Sequence, residues 1–376
     1  MNPGPRARIR RPLIWTSVVA VPLLAGAAIA VPMAASGAVD LPDKTPQELI
    51  EFAAASEVEA LSGTIEQTSE LGLPDLGALT GSMDDAAGEG DSSAQLDDLI
   101  ALVTGSHTAK VYLDGDSARL QVLDELGERN VYVDEAAREV WYVDSESQSA
   151  TKLVLPDDEE LRDAYGEDAE KPEAGDVLPT PDEMLDDALA RLDESTEVTV
   201  GTDARVAGRE VYELVLAPRT DDTLVGDVRF AIDGETGVAL SASVTARGVT
   251  EPAFQVAFTQ VYFSAPDASV FAFEPGAGLD VTEKDVPLPT EREQGELSTP
   301  QDETAPRVVG EGWSAVVELA NPGMDAEQRA MLDSLTTAVD GGRVIQTSLM
   351  SVMITDDGRI LIGAVPTQLL VDVAGR

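Results

Sequence analysis

The sequence predicts an α+β fold: one large, curved, mostly antiparallel sheet, followed by a small C-terminal αβ module. Three observations carry this. From about residue 106 the apolar period is two for most of the chain, the spacing of half-buried strands. The runs are separated by short turns bearing Gly and Asp, which join antiparallel neighbours. Capped helices are few and stand before and between the strand runs, not after every strand, which excludes a doubly wound sheet.

The elements follow in order. Residues 1–38 form a leader. Arg6, Arg8, Arg10 and Arg11 are basic, and Pro12 to Val39 carries no charge. Leu13 to Ala35 is mostly apolar, and Ser36-Gly37-Ala38 offers the small residues that a signal peptidase requires. The same run is long enough to span a bilayer uncut. The leader therefore reads as a signal peptide or a membrane anchor. In both cases the arginines stay inside and the rest is extracytoplasmic, secreted or held by the uncleaved anchor.

Thr45-Pro46-Gln47-Glu48 is a capping box with Pro at the first helical position. It opens a helix to about Ala60, with Leu49, Ile50, Ala53, Ala54 and Val58 as its apolar stripe. A strand follows, with Leu61, Gly63 and Ile65 on one side and Ser62, Thr64 and Glu66 on the other. Gly72 to Asp91 reads as a Gly/Asp-rich loop. Ser92 and Gln95 form a second capping box before Leu96, Leu99, Ile100 and Val103.

Next comes a meander. Ala109, Val111 and Leu113 alternate with Lys110 and Tyr112, Asp114-Gly115-Asp116 turns the chain, and Leu120 and Val122 continue the alternation. Two strands flank Glu135 to Arg138, and the run closes at Pro156. Trp141 and Tyr142 point to opposite faces of one strand. Residues 157 to 179 read as a solvated acidic excursion. A third capping box, Thr180 to Glu183, starts a helix through Met184, Leu185, Ala188, Leu189 and Leu192. Five strands follow: TEVTVG, REVYELVLAP, GDVRFAID, VALSASVTAR and AFQVAFTQVYF, with Asp233 to Gly237 as a hairpin loop.

Residues 284–307 read as an acidic, Pro-rich linker. Residues 308–376 form the small αβ domain: strand WSAVVELA, a helix from Asp325 to Val339, strands RVIQTSL, MSVMITDD and RILIGAVP, and a helical turn at Thr367 to Val373. Trp313 reads as core. Leu349, Met350, Val352 and Met353 read as a buried strand or an adaptable partner surface.

Composition removes whole classes of function. The chain has 376 residues, no Cys and one His. Disulfides, thiol nucleophiles and paired-His zinc sites are absent. A Ser-His-Asp mechanism would rest on His107, which reads as an exposed edge residue, and no serine sits in a Gly-x-Ser-x-Gly elbow. No catalytic constellation, cofactor or metal is expected. Net charge is −45; without the four leader arginines, 21 basic residues face 70 acidic ones, a charge of −49. Such a surface repels nucleic acid and anionic headgroups.

A sheet of this size must curl. Val111, Leu113, Val131, Val133 and Leu153, and later Phe230, Ile232, Phe254, Val256 and Phe258, supply its apolar side. Either the helices fill the concavity as a dry core, or under-filling leaves an apolar cavity of the kind that holds small molecules.

The ordered whole resembles a known family. The order runs export leader, capped helix, LSGTIEQTSELGLP, Gly-rich loop, meander with DGDSARLQVLD and REVWYVD, helix after an acidic insert, VRFAIDGETGVAL and FAFEPGAGLDV. It is similar to the LolA-type lipoprotein carrier superfamily in its actinobacterial form, over residues 42–283. The resemblance implies an unclosed half-barrel lidded by helices, with acyl chains on its concave face. Ile65, Val111, Leu113, Val131, Leu153, Phe230, Ile232, Phe254, Val256 and Phe258 would line that cavity, and Leu49, Ile50, Leu99, Leu185 and Leu189 would belong to the lid. The expected role is an extracytoplasmic lipid- or lipoprotein-binding carrier. The two-domain layout also resembles periplasmic regulators of the RseB/MucB kind, which implies a sensor with a membrane-embedded anti-sigma factor or other membrane partner.

Overall fold

In the computed structural model the described residues are 39, 41–72, 106–123, 127–134, 136–156, 179–285, 307–320 and 336–375. The leader, the loop beyond Gly72, the second capped helix with Leu99, the excursion over 157–178, most of the linker and the expected helix up to residue 335 lie outside them.

Within them the chain forms α1 (Pro46–Ala54), β1 (Ala60–Ser69), β2 (His107–Asp114), β3 (Ser117–Leu123), β4 (Glu128–Asp134), β5 (Glu139–Asp144) and β6 (Ser149–Val154). After these come α2 (Pro181–Ala190), β7 (Thr196–Val200), β8 (Ala204–Val206), β9 (Arg209–Pro218), β10 (Val225–Asp233), β11 (Ala239–Ala246), β12 (Pro252–Tyr262) and β13 (Asp280–Asp285). All thirteen strands share one sheet, ordered β13-β6-β5-β4-β3-β2-β1-β12-β11-β10-β9-β7, with β8 beside β9. The sheet is open and curved, as an α+β half-barrel requires. β1 is the hinge between two arms, because it pairs antiparallel with β2 on one side and with β12, far along the chain, on the other.

Both described capping boxes form. The Glu48 carboxylate accepts from Thr45 N at 2.8 Å, and Glu183 accepts from Thr180 N at 2.7 Å. The Thr45 backbone and hydroxyl hydrogen bonds hold the Glu48 carboxyl below its usual range. α1 stops at Ala54 rather than near Ala60. Strand pairing wins over further helical turns here: Ala60 already pairs with Asp114, and Glu59 O accepts from Gly115 N at 3.1 Å.

Gly63 answers why β1 carries a glycine in mid-strand. A side-chain carbon there would lie 2.6 Å from the Phe258 ring and 2.5 Å from Gln260 O. The gap lets Phe258 lie across β1, beside a register shift between Thr64 and Ile65. Gly63→Val is therefore expected to cost about 1–3 kcal/mol by overpacking, read from urea unfolding.

The β10–β11 loop is held by a buried carboxylate. Asp233 is fully buried and accepts from Thr236 N and Oγ1, each at 2.8 Å, and from the Arg209 guanidinium at 3.0 Å through Nη2. Burial opposes its ionisation, yet the hydrogen bonds from Arg209 and Thr236 outweigh this and hold its carboxyl below the ordinary range. A depressed folded-state pKa stabilises the fold above the unfolded value of about 3.9, and that stability is lost as pH falls through the folded value. Asp233→Asn is expected to cost about 1–3 kcal/mol at neutral pH, with the deficit shrinking below about pH 4, in urea titrations across pH.

Several elements depart from expectation. The large sheet has β8 and β13 beyond the strands read from alternation, and β13 crosses the expected boundary at 283 and pairs parallel with β6. Its residues 280–284 are all exposed, so it has no apolar period to betray it. Past the linker stand β14 (Arg307–Val309), β15 (Val316–Leu319), β16 (Thr337–Val339), β17 (Gly342–Gln346), β18 (Ser351–Thr355), β19 (Ile360–Gly363) and α3 (Thr367–Ala374). They form a second antiparallel sheet, ordered β14-β15-β19-β18-β17-β16, with α3 against β18 and β19. β14 lies at the end of the expected linker. Gly312–Ser314 is a 3-10 turn, so the next strand begins at Val316, not Trp313. Thr337–Val339 is a strand paired with β17, not the end of a helix.

The second sheet is docked on the first. Leu349, 4% exposed, belongs to the core of the large sheet, while Met353 anchors the small one. Trp313 Nε1 donates to Thr196 Oγ1 at 2.9 Å, Thr223 Oγ1 and Leu224 N donate to Ala364 O, and Ser348 N donates to Leu71 O.

Candidate ligand-binding face

Cross-strand pairing assigns each side chain to a face. On the concave side Leu61, Ile65 and Gln67 of β1 lie beside Leu113, Ala109 and His107 of β2. His107 is half-buried on an interior strand, not at an exposed edge.

One arm of this face is closed. Ile65, Val111, Phe230, Ile232, Phe254, Val256 and Phe258 join one core with Leu49 of α1 and Leu185 of α2, none more than 5% exposed. α2 lies on β11, where Ala239 N donates to Asp182 Oδ1 at 2.9 Å, and the small residues of β11 permit that close approach. Ile50 and Leu189 are partly buried against the same core.

The other arm is different. Leu120 pairs with Val131, which pairs with Tyr142. Beside this row, Leu113 pairs with Ala118, which pairs with Val133; Val133 pairs with Val140, which pairs with Leu153. Leu113, Leu120, Val131, Val133, Tyr142 and Leu153 are all only partly buried. The Leu113 row begins at a recess of about 100 Å³ between α2 and β1, lined by Val58, Leu61, Leu113, Val238 and Phe258 with Thr180, Asp182 and Glu183. That volume is below the roughly 300 Å³ of an ordinary ligand pocket, so the recess extends that row rather than replacing it.

Val270 and Phe273 lie against the convex side of the same arm. Arg119 donates to Asn130 Oδ1 at 3.2 and 2.8 Å and to Val270 O at 3.3 Å, with its guanidinium 4.8 Å from the Tyr132 ring. Phe273 stacks on Tyr132 at 5.2 Å and meets Trp141 edge-on at 5.1 Å. Burial pushes the Tyr132 hydroxyl up. Lys152 pairs with Glu139 at 2.7 Å beside Trp141. Trp141 thus belongs to the covered side and Tyr142 to the partly open one.

Of the ten expected cavity residues, Leu113, Val131 and Leu153 lie on the partly open arm, and the other seven lie in the closed core, where Phe258 also lines the recess. Leu99 lies outside the described residues. The sequence does not place Leu120 or the recess in the site, and it leaves open which of Trp141 and Tyr142 lines the cavity side. The hairpin pairs Asp114–Ser117 and Asp134–Glu139 set the registers, and the β3–β4 and β4–β5 pairings place Leu120 and Tyr142 beside Val131. Among the described residues no cluster of three or more His, Asp or Glu is placed to hold a metal, and no helix is long and apolar enough to cross a membrane.

No protein-family model matches the chain, and no curated protein does. Among solved structures, MucB in complex with MucA(peri) is similar at 16% identity, covering 88% of this chain and 97% of that one, with a TM-score of 0.41. The MucA/MucB complex of Pseudomonas aeruginosa is similar at 16% identity over 87% and 94%, TM-score 0.40. A LolA superfamily protein from Nitrosomonas europaea is similar at 9% identity over 61% and 99%, TM-score 0.22. Both groups that the sequence resembles stand among structures similar to it.

Proposed function

We propose that this is a non-enzymatic, extracytoplasmic binding protein that shelters acyl chains of lipids or lipoproteins on the β2–β6 arm of the concave face. The observation that supports this reading is the pair of apolar rows from Leu113 to Leu153 and from Leu120 to Tyr142, partly exposed except at the buried Val140, the first of them meeting the recess at Leu113. Each methylene taken from water onto such a surface contributes about 0.8 kcal/mol, so one chain suffices for useful affinity after ordering costs. The lone His107, the absence of Cys and the export leader agree with binding outside the cytoplasm without chemistry. The test is uptake of an uncharged naphthylamine dye that fluoresces in apolar surroundings, and its displacement by a neutral single-chain amphiphile. Saturable uptake is expected; a flat titration contradicts the reading.

A second reading is a regulatory sensor that reports ligand state to a membrane protein. The docking of the C-terminal sheet supports it, since Leu349 and Trp313 tie that sheet to the core of the binding domain. Pull-down from solubilised membranes separates the two. A sensor retains one membrane protein whose capture changes with lipid, and a carrier retains none in a lipid-dependent way.

A further inference from the structure

We propose that this protein works tethered, with its leader retained as an anchor and one end of the large sheet turned toward the bilayer, so that the apolar row at that end takes its chain from the membrane to which the protein is tied. The cargo rests on the reading that the concave face binds acyl chains; the orientation does not. Two placements point to it. The first is a strap that follows the leader directly. Leu41 N donates to Asp203 Oδ2 at 3.2 Å, and Tyr212 Oη donates to Pro42 O at 3.0 Å. Leu41 packs so closely on the β10–β11 loop that a side-chain carbon at Gly234 would stand 2.9 Å from its Cδ2. Lys44 Nζ lies 4.6 Å from the centre of the Phe52 ring, and Thr45 then caps α1. The ends of a domain are poorly held unless tied down, and here the tie begins six residues after Ala35, the last of the apolar run. Six residues reach about 20 Å at most, of which the headgroup layer takes about 6 Å. Leu13 to Ala35 is 23 residues, enough to cross a bilayer. With that run inserted, Leu41 and the loop it packs on are held close to the membrane surface.

The second placement is that the strap and the partly open row share one end of the sheet. The β2–β3, β4–β5, β8–β9 and β10–β11 turns all leave the sheet there. Asp114, Ser117, Asp134, Glu139 and Val154 pair across the last register at that end. Leu113, Ala118, Val133, Val140 and Leu153 are the row immediately inside it. The recess joins the strapped loop to this row, because Val238, four residues after Gly234, lines it together with Leu113. A chain leaving the bilayer toward this end meets apolar side chains one register in. Charge does not hold the end to the membrane: Asp114 and Asp134 are exposed on its rim, and they repel anionic headgroups. A short covalent tether supplies the proximity instead, by raising the effective concentration of the bilayer at the row.

Protein recovered from its own cells is expected in the membrane fraction with its leader attached, read by intact mass. The full chain is then reconstituted in phosphatidylcholine vesicles that contain a headgroup-labelled acceptor lipid. The chain has no Cys, so a single donor dye is placed by Asp116→Cys or Ala136→Cys at the proposed membrane end, or by Glu146→Cys at the far end; all three positions are exposed. Strands of this length separate the two ends by about 24 Å, so the first two labels are expected to transfer energy at least about twofold more efficiently than the third. Inserting about 30 Gly/Ser residues after Ala38 adds a coil of roughly 30 Å. It is expected to erase that difference and to slow uptake of a fluorescent acyl lipid from the same vesicles several-fold. A chain recovered without its leader, or a far-end label that transfers as well as the other two, overturns the proposal. Neither outcome touches dye uptake by residues 39–376, which tests the acyl reading by itself. Flat dye uptake with the labels still in the expected order overturns the acyl reading and the loading step, and keeps the orientation.

Discussion

Phe230→Ala is expected to lower stability by about 3–5 kcal/mol in urea unfolding, the cost of an aromatic removed from a closed core. Phe230 is 1% exposed and faces Leu214 on one neighbouring strand and Ala242 on the other. Above it lie Leu49 and Leu185, held by helices whose caps fix their entry. None of these neighbours can close the gap without moving a helix, so the cavity persists. The variant is expected to bind the dye with unchanged affinity per folded molecule, because Phe230 lies in the closed arm. Destabilisation below about 1 kcal/mol would show that the interior beneath α1 and α2 is loosely filled.

Val131→Asp has the opposite profile. Val131 sits between Leu120 and Tyr142 on the partly open arm and is only partly buried. A carboxylate there keeps access to water in the free protein, so the fold loses about 1 kcal/mol. With a chain laid over it, the charge must be desolvated, at a cost of several kcal/mol. Dye uptake is therefore expected to weaken at least about thirtyfold, while urea stability barely moves. Wild-type uptake in this variant would remove the β2–β6 arm from the account. Together the two substitutions separate what holds the protein together from what holds its ligand.

Much of the fold is legible in the residues themselves. Period-two runs such as Ala109–Leu113 and tight turns such as Asp114–Asp116 specify strands, partners and faces at once. Thr45 and Thr180 start their helices as the capping chemistry demands. The illegible parts share one cause, which is that long-range packing leaves no local signature. β13 has exposed residues on both sides and pairs parallel, so its sequence, DVTEKD, shows neither an apolar period nor a hairpin turn. α1 gives way at Ala54 because β2 competes for the backbone that follows, and β2 lies far ahead in the chain. For the site, alternation puts Ile65, Phe230 and Val131 on one apolar side but does not say that α1 and α2 cover only the first two. That partition depends on where the helices land, and they land on β7, β9 and β11.

The central claim is that the concave face carries an apolar chain, and co-purification tests it most directly. Residues 39–376, isolated without detergent, are extracted with organic solvent and the extract is read by mass spectrometry against the Val131→Asp variant prepared alongside. The account predicts an acyl-bearing species in the wild-type extract, near stoichiometric with protein and depleted in the variant. An extract free of such species, or an equal amount from both proteins, would contradict it.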